Sequence, residues 1–85
     1  MTIQLVFLAR LRERFGVSRE AFALAPGVAT VSTLLDQLRE RGGAFAEELA
    51  TNRAFRVAVN QDVVTFDHPV KAGDEVAIFP PVTGG

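Results

Sequence analysis

The stretch TVSTLLDQLRERGG, residues 30–43, contains the clearest structural signal in the chain. Thr30 is a favourable N-cap residue, and the glycine pair at 42–43 stands where a helix commonly ends. Between them, apolar side chains recur at i, i+3, i+4 and i+7 and so share one helix face: Val31, Leu34, Leu35 and Leu38. The pattern predicts one amphipathic helix of about three turns.

Two strands are predicted ahead of this helix. Residues 3–9 are rich in β-branched and aromatic residues, and their alternation places Ile3, Leu5 and Phe7 on one face. A short helical turn should follow and end at Gly16. The second strand is expected at about 21–24, before a Pro-Gly turn.

The pattern returns to strand after the main helix. Residues 44–49 predict another short helix, and residues 55–59 alternate as a strand should. A turn at 60–62 and a short strand from Val63 complete a hairpin. Residues 75–79 form the last strand before two prolines, which cannot continue the hydrogen-bonded ladder.

This order of elements predicts an α+β domain with the β-grasp, or ubiquitin-like, fold: a mixed sheet crossed by one main helix. The first and last strands then run side by side, so Val76 and Ile78 should point inward. Leu8 and Phe79 should point outward near the exit of the tail, with Val63 beside them. Large apolar groups on the open face of a sheet predict a surface that binds a partner.

Size and composition limit the functions that the chain can have. At 85 residues the chain is expected to form one domain over 1–80, with an extended, flexible C-terminal tail over 81–85. It has no cysteine, which excludes disulfides and thiolate chemistry from its own side chains. The net charge of −1, the absence of a 20-residue apolar run and the lack of a signal-peptide pattern predict a cytoplasmic protein that binds neither nucleic acid nor membrane.

The tail itself is predicted to be the functional part. Pro80 and Pro81 end the sheet, and Gly84-Gly85 has no side chains to obstruct entry into a narrow channel. Such an end suits chemistry on the Gly85 carboxylate. No metal site is predicted, because His68 is the only histidine and no second ligand stands at metal spacing from it.

Several blocks of the chain resemble the MoaD family, the small subunits of molybdopterin synthase, within the ubiquitin-like sulfur carriers that include ThiS. The most specific block is the terminal run FPPVTGG, residues 79–85, which follows a Gly-Asp-Glu-Val strand start at 73–76. The block VAVNQ at 57–61, DHP at 67–69 and FLARLRE at 7–13 also match. The resemblance extends essentially from end to end.

The resemblance implies a sulfur cycle on Gly85. A MoeB-type, E1-like adenylyltransferase would use ATP and magnesium to make an acyl-adenylate, and a sulfur donor would displace AMP to leave a thiocarboxylate. The tail, Pro81, Val82, Thr83 and Gly84, would carry it into a MoaE-type large subunit, in a heterotetramer, where cyclic pyranopterin monophosphate accepts the sulfur. The chain would bind no cofactor stably, and catalytic side chains would belong to the large subunit.

The outward positions of Leu8, Val63 and Phe79 make them the predicted partner surface for this large subunit. Arg12 is either an ion-pair partner of an acidic group on that subunit or a solvated arginine. Two other classes stay open. One is a carrier for another product, such as thiazole, or a ubiquitin-like modifier that forms isopeptide bonds through Gly85. The other is a non-catalytic β-grasp interaction module with an inert tail.

Overall fold

The computed structural model describes residues 2–27 and 29–81. Its eight elements follow the predicted order: β1 Thr2–Phe7, α1 Ala9–Phe15, β2 Arg19–Ala23, α2 Val31–Arg39, α3 Gly43–Glu48, β3 Arg56–Val59, β4 Asp62–Val64 and β5 Glu75–Phe79. No helix in these two ranges is both long and apolar enough to cross a membrane.

The five strands form one mixed sheet in the order β2-β1-β5-β3-β4. β1 and β5 lie side by side and parallel, with Leu5 opposite Val76 and Phe7 opposite Ile78. The other neighbouring pairs are antiparallel. The first and last strands of the chain therefore occupy the centre of the sheet, which confirms the predicted β-grasp class.

The main helix, α2, begins as its sequence predicts. The Thr30 hydroxyl accepts a hydrogen bond from the backbone N–H of Thr33, and the Thr33 hydroxyl accepts one from the backbone N–H of Thr30. This reciprocal capping box satisfies two N–H groups that the helix cannot pair internally. The apolar stripe of α2 is buried almost completely.

One hydrophobic core lies between the helices and one face of the sheet. Its sheet side includes Ile3, Leu5 and Phe7, which are 1%, 0% and 0% exposed. Val76 and Ile78 of β5 are also fully buried there, as predicted. The alternation of apolar residues thus assigned the inner face of both central strands correctly.

The connection between β1 and α1 differs from the prediction in its bounds. The strand ends at Phe7 instead of Ala9, because Leu8 is the N-cap residue of α1 and Ala9 has a φ of 53°. A positive φ at a residue with a side chain costs roughly 1–2 kcal/mol. The positive φ of Ala9 turns the chain out of the sheet, and Leu8 stays exposed.

The hairpin between β3 and β4 turns at two residues with positive φ, Asn60 at 51° and Gln61 at 74°. Two positive values match the tight turn that suits the twist of a hairpin. Asn60 also ties the hairpin to β5, since its backbone N–H donates to the Glu75 carbonyl and its side-chain oxygen accepts from the Glu75 N–H. These two hydrogen bonds therefore help to fix the register between β3 and β5.

Candidate functional site: the open face and the tail exit

The tail leaves the domain at the C-terminal end of β5. Phe79 is the last strand residue, and Pro80 and Pro81 follow it half-buried against the domain. Pro81 is the last residue that the structure describes. The predicted tail residues Val82, Thr83 and Gly84 and the predicted reactive residue Gly85 lie outside the described residues, so these assignments stay predictions.

A cleft of about 320 Å³ lies beside the root of the tail. Its walls combine apolar groups with charged ones, and its lining residues are Arg10, Leu11, Glu48, Arg53, Ala54, Phe55, Pro80 and Pro81. Pro80 ends the domain and Pro81 begins the tail, whereas the charged groups come from α1, α3 and the segment before β3. The root of the tail therefore borders a recess whose walls carry both apolar and charged side chains.

Glu48 is the buried charged group of this recess, with only 5% of its surface exposed. Its carboxylate accepts hydrogen bonds from Arg10 and, at 3.0 Å, from Nε of Arg14. The hydrogen bond from Arg10 is the main reason that the pKa of Glu48 lies below its ordinary value, although desolvation opposes the shift. Because both arginines belong to α1 and Glu48 belongs to α3, the cluster joins these helices below the exit.

The open face of the sheet places Leu8 and Phe79 at the same end, next to the tail. The Leu8 N–H donates to the carbonyl of Ile78 at 3.2 Å, which brings Leu8 alongside the end of β5. Leu8 is 43% exposed and Phe79 is partly exposed. Both residues have the outward placement that the sequence predicted.

Val63 lies on the same face but further from the tail. It pairs with Ala58, which in turn pairs with Ala77 on β5 and so places Val63 two strands, about 10 Å, from β5. Val63 is 64% exposed, the most exposed of the large apolar side chains that the structure describes. The three predicted residues therefore lie on one face of the sheet. Leu8 and Phe79 lie next to the tail, and Val63 lies on the edge strand β4.

Small residues form the floor between these ends, and two of them, Ala58 and Ala77, were not identified from the sequence. Ala58, Ala77 and Val6 occupy one row across β3, β5 and β1 on the open face. Their small side chains leave a shallow apolar surface that a complementary partner can approach closely. The alternation of Arg56 and Ala58 with buried Val57 and Val59 carried that signal.

Arg12 is exposed on α1, about one helical turn beyond Leu8. Its neighbours in the sequence behave differently, since Arg10 and Arg14 pair with Glu48 and Arg19 pairs with Glu75 at 2.8 Å. The basic run at 10–19 is thus largely an internal network of ion pairs. The exposed position of Arg12 is compatible with its predicted role, which stays a prediction.

The turn before β5, residues 71–74, has a structural role. Asp74 is 6% exposed, and its carboxylate accepts hydrogen bonds from the Lys71 N–H at 2.9 Å and from the Asn60 amide at 3.1 Å. Desolvation, the largest single influence, would raise the pKa of Asp74, but these hydrogen bonds and the positive charge of Lys71 together hold the pKa below its ordinary value. Among the described residues, no group of three or more potential ligands could hold a metal ion.

Comparison with known proteins matches this chain along almost its whole length. It is 41% identical over 83 residues to the molybdopterin synthase sulfur carrier subunit of Escherichia coli, covering 98% of this chain and 99% of that protein. The protein of the same name from Haemophilus influenzae is 37% identical, with the same coverage.

Among solved structures, SAMP1 of Haloferax volcanii superposes with a TM-score of 0.78 at 28% identity, covering 100% of both chains. The ThiS family model matches residues 5–85. This match covers β5 completely, the second half of β1 and the Gly84-Gly85 pair of the sequence. The chain belongs to the ThiS family.

Proposed function

We propose that this chain is the sulfur carrier subunit of a molybdopterin synthase. The observation that carries the proposal is its 41% identity, over nearly the full length of both proteins, to the Escherichia coli subunit of that name. The fold supports it, because β5 pairs with β1 and ends at Phe79, on the open face, directly before Pro80 and Pro81. A partner that binds this face would meet the tail at the same edge.

The reactive group in this proposal is the carboxylate of Gly85. A carboxylate is a poor electrophile, so an E1-like adenylyltransferase of the MoeB type first converts it to an acyl-adenylate with ATP and magnesium. A sulfur donor then displaces AMP and leaves a thiocarboxylate. The protein thereby performs covalent group transfer without a nucleophilic side chain, which agrees with the absence of cysteine from its sequence.

The open face supplies the docking energy in the same proposal. Ordering the tail costs on the order of 1–2 kcal/mol per residue. Burial of Leu8, Phe79 and Val63 against a large subunit offsets that cost, since a fully buried large apolar side chain contributes about 1.5–3 kcal/mol. In this proposal Arg12, which is exposed on α1, pairs with an acidic group of the large subunit at the rim of the same interface.

The molecule that accepts the sulfur distinguishes a molybdopterin carrier from a carrier for another product. The chain, loaded with sulfur by an adenylyltransferase, ATP and a sulfur donor, is mixed with a MoaE-type large subunit and cyclic pyranopterin monophosphate. Loss of the thiocarboxylate mass in step with formation of the dithiolene product would support a molybdopterin carrier. A loaded chain that is not discharged would overturn that assignment and leave a carrier for another acceptor.

A second candidate function is that of a protein modifier. Its support is the superposition on SAMP1, since a protein described as small archaeal modifier protein 1 shares this fold along the whole chain. A modifier would transfer the Gly85 acyl group to an amine and form an isopeptide bond. Covalent adducts of the chain on other proteins, formed with ATP and the adenylyltransferase, would favour this candidate over the sulfur carrier.

A further inference from the structure

Val17 is an exposed apolar residue outside the predicted partner surface. Among the described residues, four large apolar side chains are exposed: Leu8, Val17, Val63 and Phe66. Leu8 and Val63 belong to the predicted surface, and Val17, at 40% exposed, is nearly as accessible as Leu8 at 43%. Val17 lies two residues before β2 and is as available to a partner as Leu8 is.

The hydrogen-bond ladder of the sheet places Val17 opposite Leu8. β1 and β2 are antiparallel, and beyond their last paired residues the Phe7 N–H donates to the Ser18 carbonyl at 2.9 Å. One further step in this register sets Leu8 against Val17. Leu8 has a φ of −120° and a ψ of 155°, so its backbone continues the extended geometry of β1.

Phe79 flanks Leu8 on the other side. Phe7 pairs with Ile78, and the Leu8 N–H donates to the Ile78 carbonyl at 3.2 Å, which sets Leu8 beside Phe79. Neighbouring strands lie about 4.8 Å apart. Val17, Leu8 and Phe79 therefore form one row, about 10 Å long, across the tail end of the sheet.

The side chain of Val17 shares the open face with Leu8 and Phe79. Arg19 is exposed and lies opposite Val6, in the row of the small-residue floor. Because side chains alternate along an extended chain, the position two residues before Arg19 is on the same face. Arg19 also pairs with Glu75 at 2.8 Å across β1, so this ion pair ends the apolar row on the side away from the tail.

The other exposed apolar residue, Phe66, has a structural explanation for its position. Its ring stacks on Phe55 with the centroids 5.4 Å apart, and its carbonyl accepts a hydrogen bond from the Ser32 N–H in the first turn of α2. Within residues 2–27 and 29–81, Val17 belongs neither to the hydrophobic core nor to the partly buried side chains packed against it. Substitution of Val17 should therefore leave the fold intact.

We propose that Val17 is a contact residue for the large subunit and that the interface crosses β1 to reach the start of β2. This inference rests on the proposed function, because the occupant is the MoaE-type subunit that binds Leu8 and Phe79. Continuity with that contact identifies the occupant, since a partner side chain packed on Leu8 has Val17 as its next neighbour, about 5 Å away. An apolar group of the large subunit fits this position, because neither Val17 nor Leu8 offers a polar side-chain atom.

The test is the affinity of the full chain for a MoaE-type large subunit, measured by calorimetry at one salt concentration. Four proteins are compared: the wild type, Val17→Ala, Val17→Asp and Ala21→Asp. Ala21 is also exposed on the open face, opposite Gln4, but lies four residues, about 13 Å, further from the tail. Ala21→Asp thus adds the same charge outside the proposed contact, and thermal unfolding checks each fold.

We expect the two Val17 variants to bind less tightly than the wild type. Val17→Ala should weaken binding about fivefold, because two methyl groups leave the interface. Val17→Asp should weaken it by about 30-fold or more, because it places a charge in an apolar contact. Ala21→Asp should change the affinity by less than about twofold, as expected of a surface position outside the contact.

Two results would overturn the inference and leave the proposed function in place. One is binding of both Val17 variants with the affinity of the wild type. The other is an equal loss for Ala21→Asp, because the effect would then come from charge and not from a contact at position 17. A wild type that does not bind the large subunit at all would overturn the proposed function, and this inference with it, so the two failures are distinguishable.

Discussion

The two faces of β5 use neighbouring residues for different purposes. Val76 and Ile78 are fully buried in the core, whereas Ala77 and Phe79 alternate with them on the open face and keep part of their surface exposed. Because successive side chains of a strand point to opposite faces, stability and partner binding are assigned to adjacent positions. A substitution on one face can therefore be compared with a substitution one residue away on the other.

The largest expected effect on stability lies on the inner face. Ile78→Ala removes a fully buried side chain at the centre of the sheet and should lower the free energy of unfolding by about 2–5 kcal/mol. Chemical denaturation measures this directly. A decrease in the free energy of unfolding below about 1 kcal/mol would show that the inner face of β5 stabilises the fold less than its burial indicates.

Phe79→Ala tests the other face of the same strand. Its partial exposure limits the loss of stability to about 1 kcal/mol, whereas a central aromatic residue of an interface contributes about 2 kcal/mol or more to binding. Binding to a MoaE-type subunit should weaken by about 30-fold, as measured by calorimetry.

Phe45→Ala provides the matched control, because Phe45 belongs to α3 and packs against Phe7 and Phe15 on the helix side of the sheet. Its loss should reduce stability and leave the affinity of the folded protein unchanged. Equal effects of the two substitutions on affinity would contradict the assignment of partner binding to the open face alone.

The sequence predicted the inner face better than the exit for a physical reason. The period-two alternation of Ile3, Leu5 and Phe7 is a local pattern, and so is the helical spacing of α2. The pairing of Arg10 with Glu48 joins residues 38 positions apart and depends on how α1 and α3 pack. The alternation around Ala58 is visible in the sequence, but the row that Ala58 forms with Ala77 and Val6 follows only from the register of β3, β5 and β1.

Glu48→Gln tests the exit network. Removing the charge that Arg10 and Arg14 share should cost about 1–2 kcal/mol at pH 7, since both arginines are partly exposed. The folded pKa of Glu48 lies below its ordinary value of 4.5, so its contribution is present above pH 4.5 and is lost as the pH falls through the folded pKa. The difference between wild type and variant in denaturation should therefore shrink in acid.

Glu47→Gln is the control for this network. Glu47 also pairs with Arg14 at 3.0 Å, but its side chain is 63% exposed. An exposed pair contributes little, and we expect a change below about 0.5 kcal/mol at any pH. A loss as large as that of Glu48→Gln would indicate that burial of the Glu48 carboxylate is unimportant.

Apart from the Glu47→Gln control, the smallest predicted effect is a gain in stability at the β3–β4 turn. Gln61 holds a φ of 74°, which glycine adopts without steric cost, so Gln61→Gly should raise the free energy of unfolding by about 0.5 kcal/mol. Asn60→Gly at the adjacent position should instead destabilise, because it removes hydrogen bonds to Asp74 and Glu75. The same sign for both substitutions in thermal unfolding would contradict this account of the turn.

The most direct test of the central claim is the intact mass of two proteins, the wild type and a variant that lacks Gly85, after incubation with a MoeB-type adenylyltransferase, ATP, magnesium and a sulfur donor. We predict a gain of about 16 Da, sulfur in place of oxygen at the activated carboxyl, on the wild type alone, while both proteins unfold at the same temperature. An unchanged wild-type mass, or an equal gain on the variant, would contradict the assignment of sulfur transfer to Gly85.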